Sequence, residues 1–224
     1  VSRMGYIGKQ ITTVFPSSIS IDDATISGNT TIGGTLGVTG ATTLSNKLAD
    51  TNMSTGSIVQ IVQTYDNTNE ATYTATAFTN ITHLDTAITP QVSGSKFLIE
   101  CTISGSHNAD AFVAFKLYEG SSEVTGATHT AGSPGTGCMF GFTIDRAGAC
   151  EHHLQTVSAR FLHTHGGDTS TAQTYKIYVS PMRTATRSFF YNRVGSYNDA
   201  NQLSGTSSMT IYEIVAWQIL HNLY

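Results

Sequence analysis

Eight histidines are the first residues here whose type and spacing could do chemistry. In an extended strand His163-Thr164-His165 would put two imidazoles on one face, because side chains alternate along a strand. Three copies about a symmetry axis would then gather six ring nitrogens, a set that suits a transition metal. Gly166, Gly167 and Asp168 follow at once and mark a turn. The pair is therefore read as a polar strand end with surface histidines, and no metal or cofactor is expected. His152-His153 point to opposite faces of a strand, and no HExxH occurs. Nor is there a GxSxG elbow, a GxxxxGK[ST] loop or a GxGxxG turn. The carboxylates Asp110, Glu119, Asp145, Glu151, Asp168 and Glu213 stand singly. A glycoside-cleaving pair would need positions distant in sequence, so no catalytic residue is assigned and no enzyme is expected.

Three other groups have a chemical reading. Glu213 lies among apolar residues near the end of a strand-like run, where a buried charge needs a partner; Arg193 is the expected one. Cys101, Cys138 and Cys150 are odd in number and widely spaced, which fits neither a disulfide framework nor a zinc knuckle. Cys101 and Cys138 sit in alternating apolar runs and are expected as buried free thiols, consistent with assembly in a reducing cytosol. Tyr197, Asn198, Asp199 and Asn201, in GSYNDANQ, combine a planar ring with amides and suit a sugar. Loops on rigid sandwiches commonly carry recognition, and the same residues also read as an ordinary connecting loop.

The elements that must position these groups are strands. Charged residues make up 12% of the chain, about half the usual share. The polar remainder is 35 Thr and 23 Ser, with 21 Gly. Thr is β-branched and packs well on a pleated surface, so the fold class expected is all-β. Period-two alternation runs through Phe97–Ile103, Val113–Leu117, Cys138–Ile144, Tyr175–Val179 and Met209–Val215. With Ile58–Thr64, Tyr73–Thr79, Leu84–Thr89, His153–Phe161 and Ser188–Tyr191, about ten strands are expected. No stretch between them supports a crossover helix, so pairing should be antiparallel and the package a two-sheet sandwich, a jelly roll. The formal charge of −4 is spread without a basic patch, which argues against nucleic acid. No apolar stretch approaches the roughly 20 residues of a membrane span, and no basic-then-apolar leader is visible, so neither membrane insertion nor ordinary export is expected.

Residues 25–44 carry a different period. Ile26, Ile32, Val38 and Leu44 recur every six residues, and Gly28, Gly34 and Gly40 keep the same interval. That spacing is wrong for an α-helix and fits short strands broken by tight turns. One copy could bury only a handful of aliphatic side chains, each returning about 1.5–3 kcal/mol. Ordering each residue of the segment costs roughly 1–2 kcal/mol. Around a threefold axis each layer would bury three such side chains together, so the segment is expected to be an intertwined trimeric stalk. The expected organisation is a 1–24 anchoring segment, the 25–44 stalk, a 45–55 linker and a 56–224 head.

ISGNTTIGGTLGVTGATTL resembles the short stalk repeats of phage tail fibres, and Met4-Gly-Tyr-Ile-Gly8 resembles fibre N-termini from marine and cyanobacterial phages. The head is similar to a β-sandwich found at the ends of such fibres. The matching elements are GSIVQIVQT at Gly56–Thr64, LDTAITP at Leu84–Pro90 followed by SGSKFLIE, and TYKIYVS at Thr174–Ser180. YNR at Tyr191–Arg193 and MTIYEIVA at Met209–Ala216 complete the series. The resemblance implies a homotrimeric structural virion protein with a head like those of tumour necrosis factor and C1q. Implied with it are host attachment, contacts to other virion proteins through the N-terminal segment, and a host surface glycan or protein as receptor. A purely architectural decoration protein and a glycan depolymerase spike are the alternatives. The stalk is shorter than most fibre shafts, and WQILHNLY after Ala216 departs from the pattern.

Overall fold

A computed structural model describes residues 35, 37, 39, 53–74, 77–108, 112–130, 137–143, 153–166, 168–182, 187–195 and 203–216. The chain divides into two units, Val1–Asn46 and Lys47–Tyr224. In the first, only Thr35, Gly37 and Thr39 are described, each exposed and outside regular structure. The expected stalk residues Ile26, Gly28, Ile32, Gly34, Val38, Gly40 and Leu44 lie outside the described residues.

The second unit is all-β, as its Thr-rich, alternating sequence predicts. Its strands are β1 (Ile58–Asp66), β2 (Ala71–Tyr73), β3 (Thr79–Asn80), β4 (Thr86–Ile88), β5 (Lys96–His107) and β6 (Phe112–Glu119). They continue with β7 (Ser122–Glu123), β8 (Phe140–Thr143), β9 (Gln155–His163), β10 (Gln173–Met182), β11 (Phe189–Tyr191) and β12 (Ser207–Ile214). All pairings among them are antiparallel. In the first sheet β1 pairs with β12 and β12 with β5. Strand β5 also pairs with β9 and with β11, and β2 lies beyond β11. In the second, β3 and β4 pair with β10, β10 with β6, and β6 with β7 and β8.

Four of the pairs are nested, and β12–β5 and β10–β6 join them into the two sheets. β1 pairs with β12, β4 with β10, β5 with β9 and β6 with β8. The first half of the unit thus runs back against the second half in reverse order. Between the sheets lies one apolar cluster, because every second residue of each long strand points inward. Phe97, Ile99, Cys101, Ile103, Met209 and Ile211 come from the first sheet, and Val113, Phe115, Leu117, Tyr175, Ile177 and Val179 from the second. Phe115 meets the ring of Phe189 edge-on at 5.5 Å, and Phe97 meets Tyr175 in the same way at 5.9 Å. Two antiparallel sheets around this core make a β-sandwich.

Sequence and structure differ at three elements. Of the run expected as one strand over Tyr73–Thr79, the described strand residues are Tyr73, which ends β2, and Thr79, which begins β3, in different sheets. Leu84 belongs to a 3-10 turn, Thr82–Leu84, and the strand begins at Thr86. Strand β9 reaches His163, two residues past the expected end.

Candidate functional site

Strands β6, β9 and β10 bring together a carboxylate, an imidazole and a phenol. In β6 Val113, Phe115 and Leu117 point inward, so Glu119 at its end points the same way. In β9 the inward set is Val157, Phe161 and His163 by the same alternation. Glu119 Oε2 accepts from His163 Nε2 at 3.1 Å, and Tyr175 Oη donates to Glu119 Oε1 at 3.2 Å. His163 also meets the Tyr175 ring edge-on at 5.7 Å. Burial and the Glu119 carboxylate push the Tyr175 phenol up, so it stays a neutral donor. Glu119 and His163 open onto a cleft of about 340 Å³ lined also by Ser122, Glu123, Thr125 and Phe161, with Tyr175 fully buried behind them.

His165, two residues on, meets a second carboxylate. Its ring stacks on Phe97 with centroids 4.2 Å apart. Its Nε2 lies 3.3 Å from Ser95 Oγ, and that hydroxyl donates to Glu213 Oε1 at 2.7 Å. With its one proton committed to Glu213, Ser95 can only accept from the imidazole, so His165 carries its hydrogen on Nε2. The serine is held by the carboxylate; the imidazole does not take its proton. His163 and His165 share one face, as alternation predicts; His163 is half-buried at the cleft, and His165 is not a surface residue but buried, 8% exposed. Strand β9 stops at His163, three residues before the turn signal at Gly166, and His165 beyond it is still buried.

Glu213 is fully buried, and Arg193 is not its partner. Gln91 N donates to both carboxylate oxygens at 2.8 and 2.9 Å. Val92 N donates at 2.8 Å, Gln60 Nε2 at 2.6 Å, and Ser95 Oγ completes the set. The turn that aims these N–H groups needs a positive φ, +70° at Gly94. Neutral donors satisfy the charge without a buried cation. Arg193 instead lies over the Phe190 ring at 4.9 Å and donates to Thr72 Oγ1 at 2.7 Å.

The YNR motif forms a second knot. Tyr191 Oη donates to Asp66 Oδ2 at 3.0 Å. Asn192 has φ of 56°, which Asn tolerates better than most residues. Its Nδ2 donates to the Asp66 and Asn69 carbonyls, each at 3.2 Å, and its Oδ1 accepts from Ser207 Oγ at 2.6 Å. Burial works to raise the Asp66 carboxyl. The N–H groups of Asn69 and Thr68, the Asn69 amide and the Tyr191 hydroxyl outweigh it and hold the carboxyl below its usual range.

The chain matches no known protein-family model and no curated protein sequence.

The outward face of the first sheet is unlike the outward face of an ordinary solvated sheet. Ile61 pairs with Tyr212, Tyr212 with Leu98 and Leu98 with Leu162, so one apolar row crosses four strands. Ile61 is 57% and Leu162 49% exposed. Ile58 and Ile214 pair beside that row. On its other side Gln63, Thr210, Glu100 and Arg160 form a polar row, with Arg160 3.5 Å from Glu100.

Tyr197, Asn198, Asp199 and Asn201, the expected receptor loop, lie outside the described residues, as does Cys150. Cys101 is a buried free thiol pushed up to about 12 by burial. Cys138 is only partly buried. Among the described residues no group of three or more His, Cys, Asp or Glu side chains is placed to hold a metal ion. The sequence reading missed the joining of Glu119 to His163, because the two stand 44 residues apart and nothing local links them.

Proposed function

We propose that this chain is a structural virion protein of a tailed phage, a short homotrimeric fibre or spike that attaches the particle to its host. Its head is a jelly roll, and the nested pairing of β1 with β12 through β6 with β8 is the connectivity such a head requires. The observation that carries the reading is the apolar row Ile61–Tyr212–Leu98–Leu162. Single exposed apolar residues are ordinary, but a contiguous apolar band, here widened by Ile58 and Ile214 on one side and bordered by a polar row on the other, marks a protein interface. A second and third copy of the same chain are the occupants that fit. The six-residue repeat in residues 25–44 needs just such copies to bury its aliphatic side chains, and the ordered resemblance to fibre heads points the same way. Three heads held together would bind a host surface through avidity, since linked weak contacts act at high effective concentration.

Light scattering on the full chain tests this. A mass near three times the 23.9 kDa protomer is expected, and Leu98→Asp, which puts a charge in the middle of the row, should shift the head toward monomer. A monomeric full chain would remove both the stalk and the avidity argument.

A further inference from the structure

The second sheet has an outward face of its own. Tyr175, Ile177 and Val179 point inward from β10, so Lys176 and Tyr178 point outward. By the same alternation Lys116 and Tyr118 face out from β6. Tyr178 stands opposite Lys116, and Tyr118 opposite both Lys176 and Glu123. The Tyr118 and Tyr178 rings are stacked, with centroids 4.0 Å apart and planes 29° from parallel. Beside them Lys116 Nζ lies 2.8 Å from Glu123 Oε2. The same Lys116 and Glu123 line a shallow, open cleft of about 270 Å³ together with Thr125, Thr128, His129 and Thr130. Glu123 and Thr125 also line the 340 Å³ cleft at His163, so the two hollows flank one short turn.

We propose that this face binds an uncharged saccharide, with the Tyr118–Tyr178 pair as its platform and the Lys116–Glu123 cleft as its polar contact. This rests on the host-attachment reading and gives it a site. Three features fix the ligand class. Aromatic faces are electron-rich and attract the weakly positive C–H faces of a sugar ring. The cleft then offers hydroxyls from threonines beside a carboxylate acceptor and an ammonium donor, the mixture that pairs with sugar hydroxyls. Charge on the face is already balanced, Lys116 by Glu123 and Lys176 by Asp85 at 3.8 Å. An acidic glycan would find no free cation in these two pairs and would have to break one of them. Shallow, half-open hollows on both sides of the turn suit a chain of sugar units lying across it.

The test is a printed array of neutral and acidic oligosaccharides probed with the labelled full chain, at about 0.15 M and about 0.5 M salt. Neutral saccharides should bind, with less than about a twofold change between the two salts. Tyr178→Ala should weaken binding about tenfold. Thr130→Arg, at an exposed position on the cleft rim, should block it without touching the core; unchanged thermal melting would confirm that both variants fold. Retention of binding in both variants would place the saccharide elsewhere and overturn this site while leaving a sugar-binding head. Preference for acidic saccharides with a steep salt dependence would overturn the ligand class. No saccharide binding by a trimer that still adheres to host cells would sink the site and leave attachment through a protein receptor. Failure to adhere at all would count against the attachment reading as well.

Discussion

At the residue scale the molecule depends on two buried carboxylates that are satisfied almost wholly by neutral donors. Glu213 accepts from Gln91, Val92, Ser95 and Gln60, and so ties β12 and β1 to the loop before β5. Glu213→Leu would leave those donors buried and unpaired, a loss of about 3–5 kcal/mol in chemical denaturation. Glu213→Gln keeps one acceptor oxygen and should cost less. Asp66 makes the pH prediction. Its carboxyl is held below the usual range in the folded state, so the stability it contributes is present above the unfolded pKa and is lost as pH falls through the folded value. Melting temperature should drop on acidification below the usual carboxylate range, and the drop should be shallower in Asp66→Asn. Glu213 was legible in the sequence as a buried charge in need of partners, since it sits on the inward phase of an apolar alternation. Its partners were not, because two of them are main-chain N–H groups, which carry no signal in residue type.

At the scale of elements the long strands were written plainly in the sequence. Strands β5, β6, β10 and β12 fall where period-two alternation predicts, because each buries one whole face. Short strands were harder. β2 and β3 are three and two residues long, too brief for alternation to show that they leave for different sheets. The end of β9 carries a mixed signal: Gly166 and Gly167 mark a surface turn in the sequence, while His163 ends the strand and His165 is buried. One position shows a close approach between elements: a methyl group at Gly105 would overlap the Phe189 ring and the Phe190 carbonyl across the β5–β11 pair. Gly105→Ala should therefore separate β11 from β5, with a destabilisation of about 1–3 kcal/mol measured by urea titration. Gly166→Ala, with open space around it, is the control and should change little.

At the scale of the whole molecule an apolar row exposed on one sheet has a thermodynamic signature. If copies of the chain cover it, unfolding is coupled to dissociation, and the melting temperature should rise with protein concentration. A melting temperature independent of concentration would indicate that the row stays open to water. This level was the least legible in the sequence. Ile61, Leu98, Leu162 and Tyr212 lie far apart along the chain and sit on the outward phase of their strands, and only the register joins them. The six-residue period suggested copies of the chain, but it gave no hint of which face of the head they would meet.

The nested pairing has a kinetic meaning as well. Among the four nested pairs β6 and β8 enclose the shortest loop, each pair outside them a longer one, and β1 with β12 the longest. Closing a loop costs entropy that grows with its length, and a pair already fixed inside it shortens the free chain that remains to be closed. The ribbon can therefore zip outward from the β6–β8 end, slowly, as non-local pairings require. Pulse-labelled hydrogen exchange during refolding should find amides of β6 and β8 protected before those of β1 and β12. During synthesis the first strand must wait, unpaired, until nearly the whole head has left the ribosome.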